Sequence, residues 1–76
     1  MKIRQNTLLK WRREAKLNQK RFGKLLNMKQ QQLCRYELQQ DQPQDDTCFR
    51  ILASLEKLFP GIKYDDLWIY IEKDGE

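Results

Sequence analysis

The chain has 76 residues, 39% of them hydrophobic, with a net charge of +4, two cysteines and no histidine. That length allows one small domain with a core of marginal stabilising power, and no apolar run nears the roughly 20 residues that span a bilayer. The missing histidine removes the commonest acid–base group and metal ligand, and two cysteines do not make a four-ligand zinc site.

Residues 1–76 read as a single domain, with a core over 7–68 and a tail over 69–76. Met1 to Gln5 are polar and lack the apolar run of a signal peptide, so a cytoplasmic location is expected. The spacing of apolar residues predicts a helix from about Thr7 to Ala15. Asn6 or Thr7 can cap it, and Leu8, Trp11 and Ala15 line one face. A second helix follows the cap Asn18 and runs to about Leu26, burying Phe22, Leu25 and Leu26. Asn27 then suits a left-handed turn. A third helix covers about Gln30 to Leu38. It points Leu33 and Tyr36 inward and leaves Gln30, Gln31, Cys34 and Arg35 on its other faces. After the polar loop "QQDQPQDD" at 39 to 46, a fourth helix opens near Asp45 or Asp46, whose carboxylates favour a helix N-terminus. It presents Ile51, Leu52, Leu55 and Leu58 and ends at Pro60–Gly61. The last element, "DDLWIYIEK" at 65 to 73, opens like a capped helix, although Trp-Ile-Tyr-Ile equally reads as a strand. The expected fold is therefore all-α, with five helices and a tail that is helical or extended.

Charge divides the chain. Residues 1 to 36 carry eleven basic side chains against Glu14 alone, a balance of +10, and residues 37 to 76 carry four basic against ten acidic, a balance of −6. A basic half of this kind suits a polyanion, and charge alone does not choose between DNA, RNA and an anionic membrane. No phosphate-cradling loop, nucleophile elbow or dinucleotide fingerprint occurs, so neither catalysis nor a cofactor or metal is expected.

The second and third helices have the spacing of a helix-turn-helix, in which two short helices cross steeply and the second enters a major groove. Gly23 supplies the small residue where the helices approach, and Leu26 and Met28 flank the turn. Here the chain resembles the phage repressor and Cro-like (XRE-like) helix-turn-helix family, from about Leu8 to Leu67. "LNQKRFGKLLNMKQQQLCRYE" is similar to the family's segment. Gln19 opens its second helix, Asn27 replaces the usual turn glycine, and Glu37 stands at an acidic position that ends the third helix. Arg12 matches a basic residue that pairs with that acid in many members. Pro43 and Thr47 to Leu55 fit the family's loop and fourth helix, and "DDLW" resembles the opening of its fifth. Residues 56 to 60 lengthen the connection before that point.

The resemblance implies a lambda-repressor-like five-helix domain and a transcription regulator acting as a repressor. It also implies a cytoplasmic, nucleoid-associated homodimer, bacterial or phage, on a palindromic operator in double-stranded DNA. Its dimer surface would use the fifth helix and the tail. By position, Lys29, Gln30, Gln31 and Arg35 would read bases. A glutamine amide matches adenine N6 and N7, and an arginine matches guanine O6 and N7. Gln19, Lys20, Lys29 and Arg12 would contact phosphates, with Arg12 and Glu37 as a structural pair. Helical rotation turns Gln32 toward the backbone or solvent, and the loop over 39–42 lacks positive charge. Some of Lys10, Arg13, Lys20 and Lys24 must face elsewhere and serve only solvation.

Three other readings stay open. One is an antitoxin or protein-interaction module whose acidic, aromatic C-terminal half binds a partner protein, with Tyr64, Trp68 and Tyr70 as an exposed patch. A second is a general RNA- or nucleoid-binding protein acting through charge alone. The third is redox control through Cys34, beside the base-reading residues.

Overall fold

The computed structural model describes residues 2 to 72. In chain order it runs β1 (Lys2–Asn6), α1 (Leu8–Ala15), α2 (Gln19–Leu25), α3 (Gln30–Glu37), α4 (Asp45–Glu56), a 3-10 turn (Tyr64–Leu67) and β2 (Trp68–Glu72). The first three helices lie within a residue of the expected bounds, because short-range signals set them. Asn18 caps α2 by accepting the Arg21 N–H at 2.8 Å, and Asn6 Oδ1 accepts the Leu8 N–H at the start of α1.

The five-helix, all-α expectation is overturned. Four α-helices are joined by a two-stranded antiparallel sheet, in which Lys2 pairs with Glu72, Arg4 with Tyr70 and Asn6 with Trp68. The expected fifth helix stops after one 3-10 turn. Asp66 accepts the Lys63 N–H through its carboxylate at 2.8 Å, and Trp68 then turns extended at φ −129°, ψ 143°. The aromatic and β-branched run Trp68 to Ile71 takes the strand it favours, because β1 offers it a partner. Among the described residues no fifth helix follows, so the helical part of the expected dimer surface is replaced by the 3-10 turn and β2. Residues 69–72 of the tail are extended, and 73–76 lie outside the described residues.

The two chain ends are clamped together. Thr7 donates its N–H to the Leu67 carbonyl at 2.8 Å and its hydroxyl to the Asp66 carbonyl at 2.7 Å. The Trp11 indole N–H reaches both the Thr7 hydroxyl and that same carbonyl. The core joins Leu8, Phe22, Leu26 and Leu33 to Ile51 and Leu55 of α4, and is closed by Ile62, Leu67 and Trp68. α4 ends at Glu56, earlier than expected. Leu58 and Phe59 both return N–H bonds to the Leu55 carbonyl, which leaves Leu58 46% exposed rather than in the core. Among the described residues no helix is long and apolar enough to cross a membrane.

Candidate nucleic-acid interface

Two short helices meet at a turn that their backbones determine. Asn27 sits left-handed at φ 56°, and the Met28 N–H donates to the Gly23 carbonyl at 2.8 Å. A Cβ on Gly23 would lie 3.1 Å from the Met28 carbonyl oxygen, tighter than ordinary contact. Gly23 thus permits the close approach of α2 to the start of α3.

α3 divides cleanly by face. Leu33, Tyr36 and Glu37 are buried, whereas Gln30, Gln31 and Arg35 are exposed. Cys34 is half-buried. Gln32 turns toward the following loop and donates to Asp41 at 3.4 Å. Lys29 precedes the helix in extended conformation and makes no side-chain cap, and no acid occupies the first turn. The N-terminus of α3 thus keeps its partial positive charge. Beside it opens a shallow cleft of about 550 Å³ lined by Lys20, Lys24, Asn27, Met28, Lys29 and Gln30. Three ammonium groups and a helix N-terminus around one opening favour anionic oxygens.

The back of α3 is held by charge. Arg12 donates to Glu37 through Nε at 2.7 Å and Nη2 at 3.1 Å, and to the Leu17 carbonyl through Nη1 at 3.2 Å. Gln19 Nε2 adds a bond to Glu37 Oε1 at 2.9 Å. The Arg12–Glu37 pair implied by the family resemblance is present, and α1 is fastened by it to the end of α3. The same bonds engage Arg12 and the Gln19 amide, the groups that the resemblance also places at phosphates. Lys20, Lys24 and Lys29 remain exposed.

Asn6, expected as a cap of α1, is also a structural centre. It is 4% exposed. Its Nδ2 donates to the Tyr36 carbonyl at 2.8 Å and to Gln42 at 2.9 Å, and its carbonyl accepts from Gln39 Nε2. This network anchors β1 against the C-terminal end of α3. Its only local signal is the left-handed Gln39, at φ 61°, and glutamine does not advertise that conformation.

The aromatic patch expected from Tyr64, Trp68 and Tyr70 does not form as a unit. Trp68 is buried with the Arg4 guanidinium 3.9 Å over its ring. Tyr64 is half-buried and donates its hydroxyl to Asp45 at 2.9 Å, and Tyr70 alone is fully outward. Among the described residues no group of three or more metal-ligating side chains comes together. No protein-family model, curated protein or solved structure matches the chain.

Proposed function

We propose that this protein is a sequence-specific DNA-binding regulator of transcription, a repressor of the phage repressor and Cro-like kind, placed at the nucleoid in the cytoplasm. The observation that carries this reading is the division of α3. Its buried face is pinned by Leu33, Tyr36 and Glu37, and its open face offers Gln30, Gln31 and Arg35 beside the lysine-lined cleft. An α-helix with its side chains is about 10–12 Å across, which suits a major groove of similar width.

In this reading Lys20, Lys24 and Lys29 hold phosphates and set register. Gln30 and Gln31 present planar amides to adenine edges, and Arg35, a turn later, reaches guanine. Each good bidentate pair contributes about 1–3 kcal/mol of discrimination. Two copies on a two-fold operator would sit one helical turn apart, about 34 Å.

A second reading, a protein-interaction module such as an antitoxin, draws support from Phe49, 59% exposed, and Leu58 on the acidic half.

Selection of bound duplexes from a random pool at near-physiological salt tests the proposal. Enrichment of a two-fold symmetric motif is the expected result. Binding without any enriched motif, lost as salt rises, would reduce the basic half to an electrostatic footprint.

A further inference from the structure

The end of α3 is closed by a residue in a costly conformation. Gln39 follows the cap Leu38 in the left-handed region, at φ 61°. A Cβ makes that region unfavourable, and glycine is the usual choice where a helix ends this way. The backbone closes fully there. The Gln39 N–H donates to the Tyr36 carbonyl at 3.0 Å, and the Gln40 N–H to the Arg35 carbonyl at 2.9 Å. Glycine could make both bonds without strain. What glycine could not supply is the side chain.

That side chain grips β1. Its Nε2 donates to the Asn6 carbonyl at 3.1 Å, and its Oε1 accepts the Asn6 N–H at 3.2 Å. The amide thus pairs with the Asn6 backbone as a neighbouring strand would. Gln42 Nε2 donates to the same Oε1 at 2.8 Å. Asn6 closes the circuit, since its Nδ2 donates to the Tyr36 carbonyl at 2.8 Å. Asn6 is buried, so water competes poorly for these bonds. Arg12 and Gln19 hold the same end of α3 through the Glu37 side chain. The Gln39–Asn6 clasp holds its backbone, at the carbonyls of Arg35 and Tyr36.

We infer that Gln39, seated on Asn6, is a positioning residue for Arg35. The clasp ties the last turn of α3 to the ribbon and sets the direction in which the exposed Arg35 side chain leaves the helix. Its consequence for specificity rests on the proposed function. An arginine pairs with guanine through two parallel bonds, and that pairing tolerates little change of angle. Gln30 and Gln31 stand at the other end of the helix, next to the turn at Asn27. Loss of the clasp therefore loosens one end of the reading face and leaves the other in register.

Gln39→Gly and Gln39→Asn test this in the full chain. Both residues adopt the left-handed conformation more readily than glutamine. Glycine has no amide to offer Asn6, and that of asparagine stops one methylene short. A residue serving only as a helix cap would be improved or unaffected by either substitution, whereas the clasp predicts the reverse. Without DNA, amide hydrogen exchange read by NMR should accelerate at least about tenfold at Gln40, whose N–H is bonded to Arg35, and stay native at Phe22 and Leu26 of the core. With DNA, affinities for a selected duplex and its single-base-pair variants should lose about tenfold discrimination at the base pair that Arg35→Ala identifies, and keep it at those that Gln30→Ala and Gln31→Ala identify. Unchanged or slower exchange at Gln40 in both variants overturns the inference. So does faster exchange with discrimination intact at every position, or lost equally at all of them. Should the native protein discriminate no base pair, the proposed function falls, and exchange at Gln40 still confirms or overturns the clasp.

Discussion

Removing Arg12 should cost more stability than neutralising Glu37, and the asymmetry follows from burial. The Glu37 side chain is 4% exposed and that of Arg12 20%. In Arg12→Met the carboxylate keeps only the Gln19 amide at 2.9 Å and cannot reach water. Breaking a buried pair from one side costs about 3–5 kcal/mol. One fifth of Arg12 is already wet, so the lower half, about 3–4 kcal/mol, applies here. In Glu37→Gln the guanidinium keeps the Leu17 carbonyl and its own access to solvent. The loss is then that of weakened charged hydrogen bonds, about 1–2 kcal/mol. A domain of this length has roughly 4–11 kcal/mol in all, so Arg12→Met lowers the melting temperature by more than about 10 °C. Urea unfolding followed by tryptophan fluorescence reads both variants, with the slope against denaturant unchanged. If Glu37→Gln proves the costlier, or both lie within about 0.5 kcal/mol of the native protein, the pair does not hold α3 to α1 as described.

Lys20→Ala and Lys24→Ala should each reduce the slope of log K against log salt by about 1 and leave base preference unchanged, whereas Lys57→Ala changes neither; titration of a fixed duplex at several salt concentrations reads this. Gly23→Val drives a side chain against the Met28 carbonyl and should cost about 1–3 kcal/mol or more in urea. Burial pushes the Cys48 thiol above its ordinary range. Its contribution is therefore complete below about pH 8.5, the ordinary value, and declines as pH rises toward and through the raised one; urea midpoints at rising pH should fall. In the native protein a thiol reagent should modify Cys34 first, and Cys48 only on unfolding.

The helical unit is readable from neighbours in sequence. Asn18, Asn27 and the inward pair Leu33 and Tyr36 each act within a few residues of themselves, and each stands where its chemistry places it. The Arg12–Glu37 pair was anticipated only through the family resemblance. β1 was not anticipated, because Ile3 is its sole apolar residue and its strand state depends on a partner more than sixty positions away. β2 carried both signals. Asp65 and Asp66 just before it promised a helix and its own aromatic and β-branched residues a strand, and the partner strand decided between them. The competition for Arg12 and Gln19 was hidden for a similar reason. The family resemblance places both at phosphates, but a buried carboxylate competes for the same groups and holds them. Leu58 has core-like spacing, yet α4 ends before it, and the turns at Leu55 carry it outward.

The central claim is that the exposed glutamines of α3 read bases. Its most direct test is the affinity of native protein and of Gln30→Ala and Gln31→Ala for a selected duplex and for its single-base-pair variants, at one salt concentration. Each substitution should abolish discrimination at one or two positions of each half-site, about 1–3 kcal/mol there, and leave affinity for unrelated DNA unchanged. Uniform weakening across all duplexes, or no change at any position, would contradict it.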